Sequence, residues 1–328
     1  MNDRPSPERA RVLAIVSFAL GVASVVCLLL FITGVPAMFL GLRSLRAINA
    51  ANGRGKGRFF AMGGMVLGAS ATLIGLTGIV VEIVTALNAR ANAAVCQNNL
   101  RLIGKAVAEY HVEHETYPQG TIANARLPDP DQRLSWMVAI LPFLDIPGPD
   151  TQGSAQKQNP YLGVDTNLGW EDQNNRPAIE KQVRWYLCPA FSHRHSRHDP
   201  GLTSYVGLAG LGEDAALLPL RRADMTLNPH VGFFGYDRTI TIRDIERGIS
   251  STLMIGETTR ANGPWAAGGK ATLRGLDLDD QPCAGRGRQF GGLHPEGAYM
   301  LYVDGSIAFI RDDSDPTLLR NLVTLAIE

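Results

Sequence analysis

Apolar and polar positions divide the chain sharply into two parts. From Val12 to Leu42 no charged residue occurs, and the stretch through Thr33 already exceeds the length needed to cross a hydrocarbon core. Gly34 and Pro36 follow, so a kink or break is expected there before apolar residues resume at Ala37. A second uncharged run, Phe59 to Val81, predicts a second span, in which Gly64 and Gly68 have the spacing that lets helix backbones approach closely. Neither Gly nor Pro occurs between Ile79 and Leu102, so this helix is expected to run unbroken from about Phe60 to about Glu113. In its outer part Val95, Leu100, Ile103, Val107 and Tyr110 recur at threes and fours, an apolar stripe suited to lie on a sheet.

Near the C-terminus Ala298 to Val303 and Ser306 to Arg311 read as strands flanking Asp304-Gly305, which fits a two-residue type I′ turn. That register sets Tyr302 opposite Ile307, Met300 opposite Phe309 and Leu301 opposite Ala308. With both faces apolar, the hairpin is expected inside the sheet or under the long helix. Asp315-Pro316 supplies a cap and a first-turn proline for a last helix. The predicted fold is α+β: two transmembrane helices, the second continuing as a long helix packed on an antiparallel β-sheet. The chain divides into a tail (1–11), a two-span membrane module (12–87) and a domain from 88 to 328.

Charge settles what the pattern leaves open. The 31 basic residues equal the 31 acidic ones, so no nucleic-acid surface is expected. The loop 43–58 carries Arg43, Arg46, Arg54, Lys56 and Arg58 and no acid, so it is expected in the cytoplasm, with the N-terminus and residues 88–328 outside. Arg4, Arg9 and Arg11 in the tail pull the other way. The first apolar run is longer than a signal peptide's core and no small-x-small site follows, so a retained, multi-pass inner-membrane protein is expected.

Two sets of strings carry a resemblance. GVASVVCLLLFITGVPAMFLGLRSLRAI with GRGKGRFFAMGGMVLG resembles a two-helix bacterial membrane module, the domain-of-unknown-function family 4190. CQNNLRLIGKAVAEYHVEHETYP, SWMVAILPFLD, LCPA, SYVGLAG, GISSTLMIGE and HPEGAYMLYVDGSIAFI, in that order, resemble family 1559, whose members usually begin with a prepilin-type leader. The helix string supplies Cys96, Asn98, Asn99, Leu100, Gly104, Tyr110 and His111. The last string holds the His-x9-Asp-Gly signature at His294, Asp304 and Gly305. The resemblance implies an exported pilin- or pseudopilin-like domain with a structural, assembly or cell-envelope role, partnered by the bilayer and by copies of itself or other envelope proteins. It also implies a disulfide between Cys96 and Cys188, leaving Cys283 unpaired. No prepilin leader precedes the apolar helix, and Glu82 sits at the far end of the span, so prepilin processing is not expected.

Candidate chemistry changes little. His193, His195 and His198 follow Cys188 and can offer imidazoles to a metal, but Arg194 and Arg197 lie between them, and a solvated basic loop is expected instead. His111 and His114, an i, i+3 pair, read as surface residues. Neither a nucleophile elbow, nor a phosphate loop, nor HExxH, nor CxxC is present, so no catalytic site and no cofactor are expected. The alternative is an extracytoplasmic ligand-binding module, which requires Trp136, Trp170, Trp185 and Trp265 to line a pocket rather than fill the core. Asp304 is expected to shape the turn. His294 is expected to hydrogen-bond at the opposite end of the hairpin, out of reach of Asp304.

Overall fold

The computed structural model describes residues 12, 15–16, 30–50, 56–144, 163–191 and 199–327. The tail, most of the first apolar run, the centre of the basic loop, and His193, His195 and His198 lie outside the described residues. The chain forms two compact units, Met1–Asn88 and Ala89–Glu328.

In the first unit, helix α1 (Leu30–Ala50) pairs with the first part of α2 (Lys56–His114). The break expected at Gly34-Pro36 does not occur, because α1 continues through Pro36. Pro36 faces outward, while Gly34, Ala37, Gly41, Ser44 and Ile48 form the buried face, so packing on the opposite side holds the helix despite the missing N–H. On α2 the matching face is Ala61, Gly64, Gly68 and Ala71. The backbones meet so closely that a Cβ on Gly68 would lie 2.6 Å from the Gly34 carbonyl oxygen. Gly68→Leu is therefore expected to lower the thermal stability of the detergent-solubilised chain by several degrees, whereas Ala69→Leu, on the exposed face, leaves it unchanged. Among the described residues α2 alone is long and apolar enough to cross a membrane, where the sequence pattern predicts two spans. The described part of α1 extends past Thr33 and takes in Arg43 and Arg46, which lowers its apolar character.

In the second unit a five-stranded sheet has the order β3-β1-β2-β4-β5, with β1 Tyr205–Leu211, β2 Leu253–Glu257, β3 Leu273–Leu276, β4 Gly297–Tyr302 and β5 Ile307–Arg311. It is not wholly antiparallel, since β1 and β3 run parallel. The last part of α2 covers one face: Leu100, Ile103, Ala106 and Val107 are fully buried in a cluster with Tyr205, Met254 and Leu301. Gly104 lets the helix sit down on the sheet, since a Cβ there would lie 3.0 Å from Leu301. Val95 is not in this stripe; it is 46% exposed, and Cys96 and Asn99 take the inward positions. The helix ends at His114, with Glu115 in the left-handed region (φ 58°). The other sheet face packs a second cluster, including Val206, Leu208, Met300 and Phe290, with Leu319 and Val323 of the last helix (Pro316–Val323). That helix is capped by Asp315, whose carboxylate accepts from the Thr317 N–H at 2.8 Å.

The C-terminal hairpin is shifted by one residue from the expected register: Leu301 pairs with Ile307, Met300 with Ala308 and Tyr299 with Phe309. The loop has three residues, Val303 to Gly305, closed by Gly305 N–H to Tyr302 O and Tyr302 N–H to Ser306 O. Gly305 takes the left-handed position (φ 85°), the usual bulge at the end of such a loop, and Asp304 has no positive φ. Strand β4 is interior, but β5 is an edge strand and Phe309 is 40% exposed.

Candidate functional site

Four elements of the second unit converge on one buried cluster. Cys96 projects from α2, Cys188 follows the 3-10 turn Arg184–Tyr186, Glu257 ends β2, and His294 precedes β4. One sulfur, nitrogen or oxygen atom from each lies within 4.8 Å of the other three. The β2–β4 register pairs Ile255 with Leu301 and Gly256 with Met300, which brings Glu257 beside Tyr299. Its Oε2 accepts the Tyr299 N–H at 2.7 Å and its Oε1 lies 3.2 Å from His294 Nε2. The two side chains are only 2% and 4% exposed. The Cys96 and Cys188 sulfurs are 2.8 Å apart, in contact but beyond the length of a covalent bond. Asn99 ties α2 to the Cys188 segment by donating to Leu187 O, and its amide also reaches the Tyr205 hydroxyl.

The electrostatics follow from this packing. The contact with Cys96 and a hydrogen bond to His294 outweigh burial and pull the Cys188 thiol down to about 6, while the Cys188 contact and burial push Cys96 up. Burial works against a charged His294, but hydrogen bonds and charge from Cys188 and Glu257 prevail and raise it to about 9. Burial holds Tyr205 neutral.

By donor type the set suits zinc. By geometry it does not, because two thiolates on one tetrahedral ion stand roughly 3.8 Å apart, well beyond the 2.8 Å found here. The order Cys188, His294, Glu257 also follows the nucleophile, base and orienting group of covalent catalysis. The crevice at that point, lined by Cys188, Ser204, Glu257, Thr258, Gly292 and Leu293 among others, has no room for a water molecule.

Of the residues singled out from sequence, Cys96 and Cys188 are brought together. His294 is buried and away from the turn, as expected, and its ring also meets Tyr299 edge-on at 5.1 Å. Its carboxylate partner Glu257 was not foreseen. Asp304 is exposed and accepts from the Ser306 N–H and hydroxyl, shaping the loop. His111 stacks on Tyr117 and His114 on Tyr110, so both pack rather than ligate; Asn98 is exposed. None of the four tryptophans borders the crevice at the cluster. Trp136, Trp185 and Trp265 are core residues, and Trp170 packs against the core while its indole donates to Asp131 O. The signal for the cluster was present, because Cys96, Cys188, Glu257 and His294 each lie in one of the strings that carry the resemblance.

The model of the family SBP_bac_10, described as a protein of unknown function (DUF1559), matches residues 88–274. The matched part contains Cys96, Cys188 and Glu257 and ends before His294, Asp304 and Gly305; the two-helix module also lies outside it. No curated protein and no solved structure matches the chain. With more than half of its length matched, the chain belongs to the DUF1559 family.

Proposed function

We propose that this is a membrane-anchored, pilin-like protein of the cell envelope, held by a two-span hairpin in the inner membrane, with its domain outside the cytoplasm in a structural or assembly role. One observation carries the reading. Helix α2 is continuous over Lys56–His114, yet between Leu73 and Leu87 it exposes large apolar side chains while Cys96, Leu100, Ile103, Ala106 and Val107 are buried in the second unit. A helix that is apolar and uncovered at one end and packed at the other is what a bilayer anchor joined directly to a folded domain requires. The core positions of Trp136 and Trp265 support a structural role over ligand binding. The basic residues at 43, 46, 54, 56 and 58 support a cytoplasmic loop.

Cysteine labelling in intact cells tests the placement. A cysteine at position 54 is expected to stay unlabelled by an impermeant maleimide, and one at exposed Glu213 to label. Labelling at 54 from outside overturns the topology. For the role, crosslinking in native membranes is expected to give homo-oligomers or a defined envelope partner; a chain that remains monomeric and unpartnered overturns it.

A further inference from the structure

The buried cluster is charge-balanced only if its sulfurs carry no charge. Glu257 and protonated His294 neutralise each other, and the second carboxylate oxygen is satisfied by the Tyr299 N–H. A Cys188 thiolate, favoured by its contacts with Cys96 and His294, still leaves the cluster one negative charge over because His294 is already paired with Glu257, and a divalent ion held by two thiolates and Glu257 does the same. A disulfide adds none. It also suits two sulfurs that touch at 2.8 Å across 92 residues of chain, one on α2 and one on the segment that Asn99 fastens to it.

We propose that Cys96 and Cys188 are joined as a disulfide in the exported domain, and that the bond is installed through Cys188 by exchange with a disulfide-carrying oxidoreductase. This rests on the extracytoplasmic placement proposed above, where thiols meet an oxidising compartment. Cys188 is the entry point because it is the sulfur nearer the surface, 3% exposed against 0% for Cys96, and borders the closed crevice beside Ser204 and Gly292, so exchange proceeds when that crevice opens. Deprotonated Cys188 attacks one sulfur of the donor; a mixed disulfide forms, the donor's own bond breaks, and its second sulfur leaves as a thiolate and takes up a proton. Cys96 then loses its proton and attacks Cys188 Sγ, and the remaining donor sulfur departs and is protonated in turn. Two thiols of this chain are oxidised, one donor disulfide is reduced to two thiols, and the electron pair passes to the donor.

Linkage mapping on the wild-type full chain tests the bond. Cells are treated with N-ethylmaleimide, the protein is extracted in denaturing detergent with the reagent present, and unreduced peptides are analysed by mass spectrometry. The expected result is a peptide pair linked through Cys96 and Cys188, with Cys283 alkylated. Alkylated Cys96 and Cys188, or one zinc per chain in the natively purified protein, overturn the proposal. For the order of events, the reduced variants Cys96→Ser and Cys188→Ser, each checked for native circular dichroism, are mixed with glutathione disulfide. Cys188 in the first is expected to form the mixed adduct roughly tenfold faster than Cys96 in the second; equal rates overturn entry at Cys188. Free thiols in a domain that labels from outside defeat this inference and leave the placement standing. A domain shielded from outside labels defeats the placement, and the bond is then judged by whether glutathione disulfide links the same two cysteines in the purified chain.

Discussion

Replacing Glu257 with alanine is expected to destabilise the second unit by about 3–5 kcal/mol, the range for breaking a buried ion pair from one side. The carboxylate holds His294 Nε2 and the Tyr299 N–H at once, so its removal takes the partner from two buried groups together. Glu257→Gln keeps an acceptor for Tyr299 and is expected to cost less. Urea unfolding of both variants measures the difference. The pair also makes stability depend on pH in a defined direction. The folded pKa of His294 is raised to about 9, above its unfolded value near 6.5, so its contribution is full below about pH 6.5 and is lost as pH rises through about 9. The urea midpoint of the wild type is expected to fall across that window and that of Glu257→Gln to stay flatter. In the reduced protein Cys188, pulled down to about 6, gains stability as pH rises over the same window and flattens the fall; closing the disulfide removes that opposition together with the Cys188 share of the His294 shift, so the fall is steeper and complete at lower pH in the oxidised protein.

Arg238→Met is expected to cost about 3 kcal/mol or more, because several buried acceptors lose their donor together. The residue is 6% exposed and its guanidinium donates to the carbonyls of Ala209, Ala215, Leu218, Gly232 and Phe234. Those carbonyls belong to β1, the turn Ala215–Leu217 with its cap Leu218, and the segment 232–234, so one side chain ties three pieces of backbone. Burial lowers its pKa to about 10, still far above neutrality, and no carboxylate pairs with it among the described residues. Arg238→Lys keeps the charge but reaches fewer carbonyls, so an intermediate melting temperature is expected. A methionine variant that melts with the wild type would show that the carbonyl cradle contributes nothing.

Features set by local chemistry were legible in the sequence. The long helix follows from the gap without Gly or Pro between Ile79 and Leu102, and the last helix from Asp315-Pro316. The hairpin was legible only in outline, because Asp-Gly suits both a two-residue turn and a three-residue loop with glycine last. Gly305 and the Asp304 bond to Ser306 select the second, and the register moves by one. Val95 was misplaced because a stripe read by hydrophobicity passes over Cys96 and Asn99, which turn inward for their partners instead. The site was the least legible part. Glu257 reaches His294 only through the pairing of β2 with β4, strands separated by the whole β3 region, and periodicity carries no trace of such a pairing.

The third cysteine gives the fold a role as proofreader. Three cysteines in the domain allow three single pairings, and Cys283 is packed in the second cluster with its sulfur 3.1 Å from the Gln281 amide. Any isomer that uses Cys283 must pull it out of that cluster, whereas the Cys96–Cys188 isomer needs no rearrangement of either core. A correct bond closing a loop this long contributes about 4–5 kcal/mol in the chain-entropy picture, and the scrambled ones forfeit packing to gain a similar amount. Domains oxidised after folding should therefore emerge as a single species, and those oxidised while unfolded as a mixture that resolves only when a free thiol is supplied.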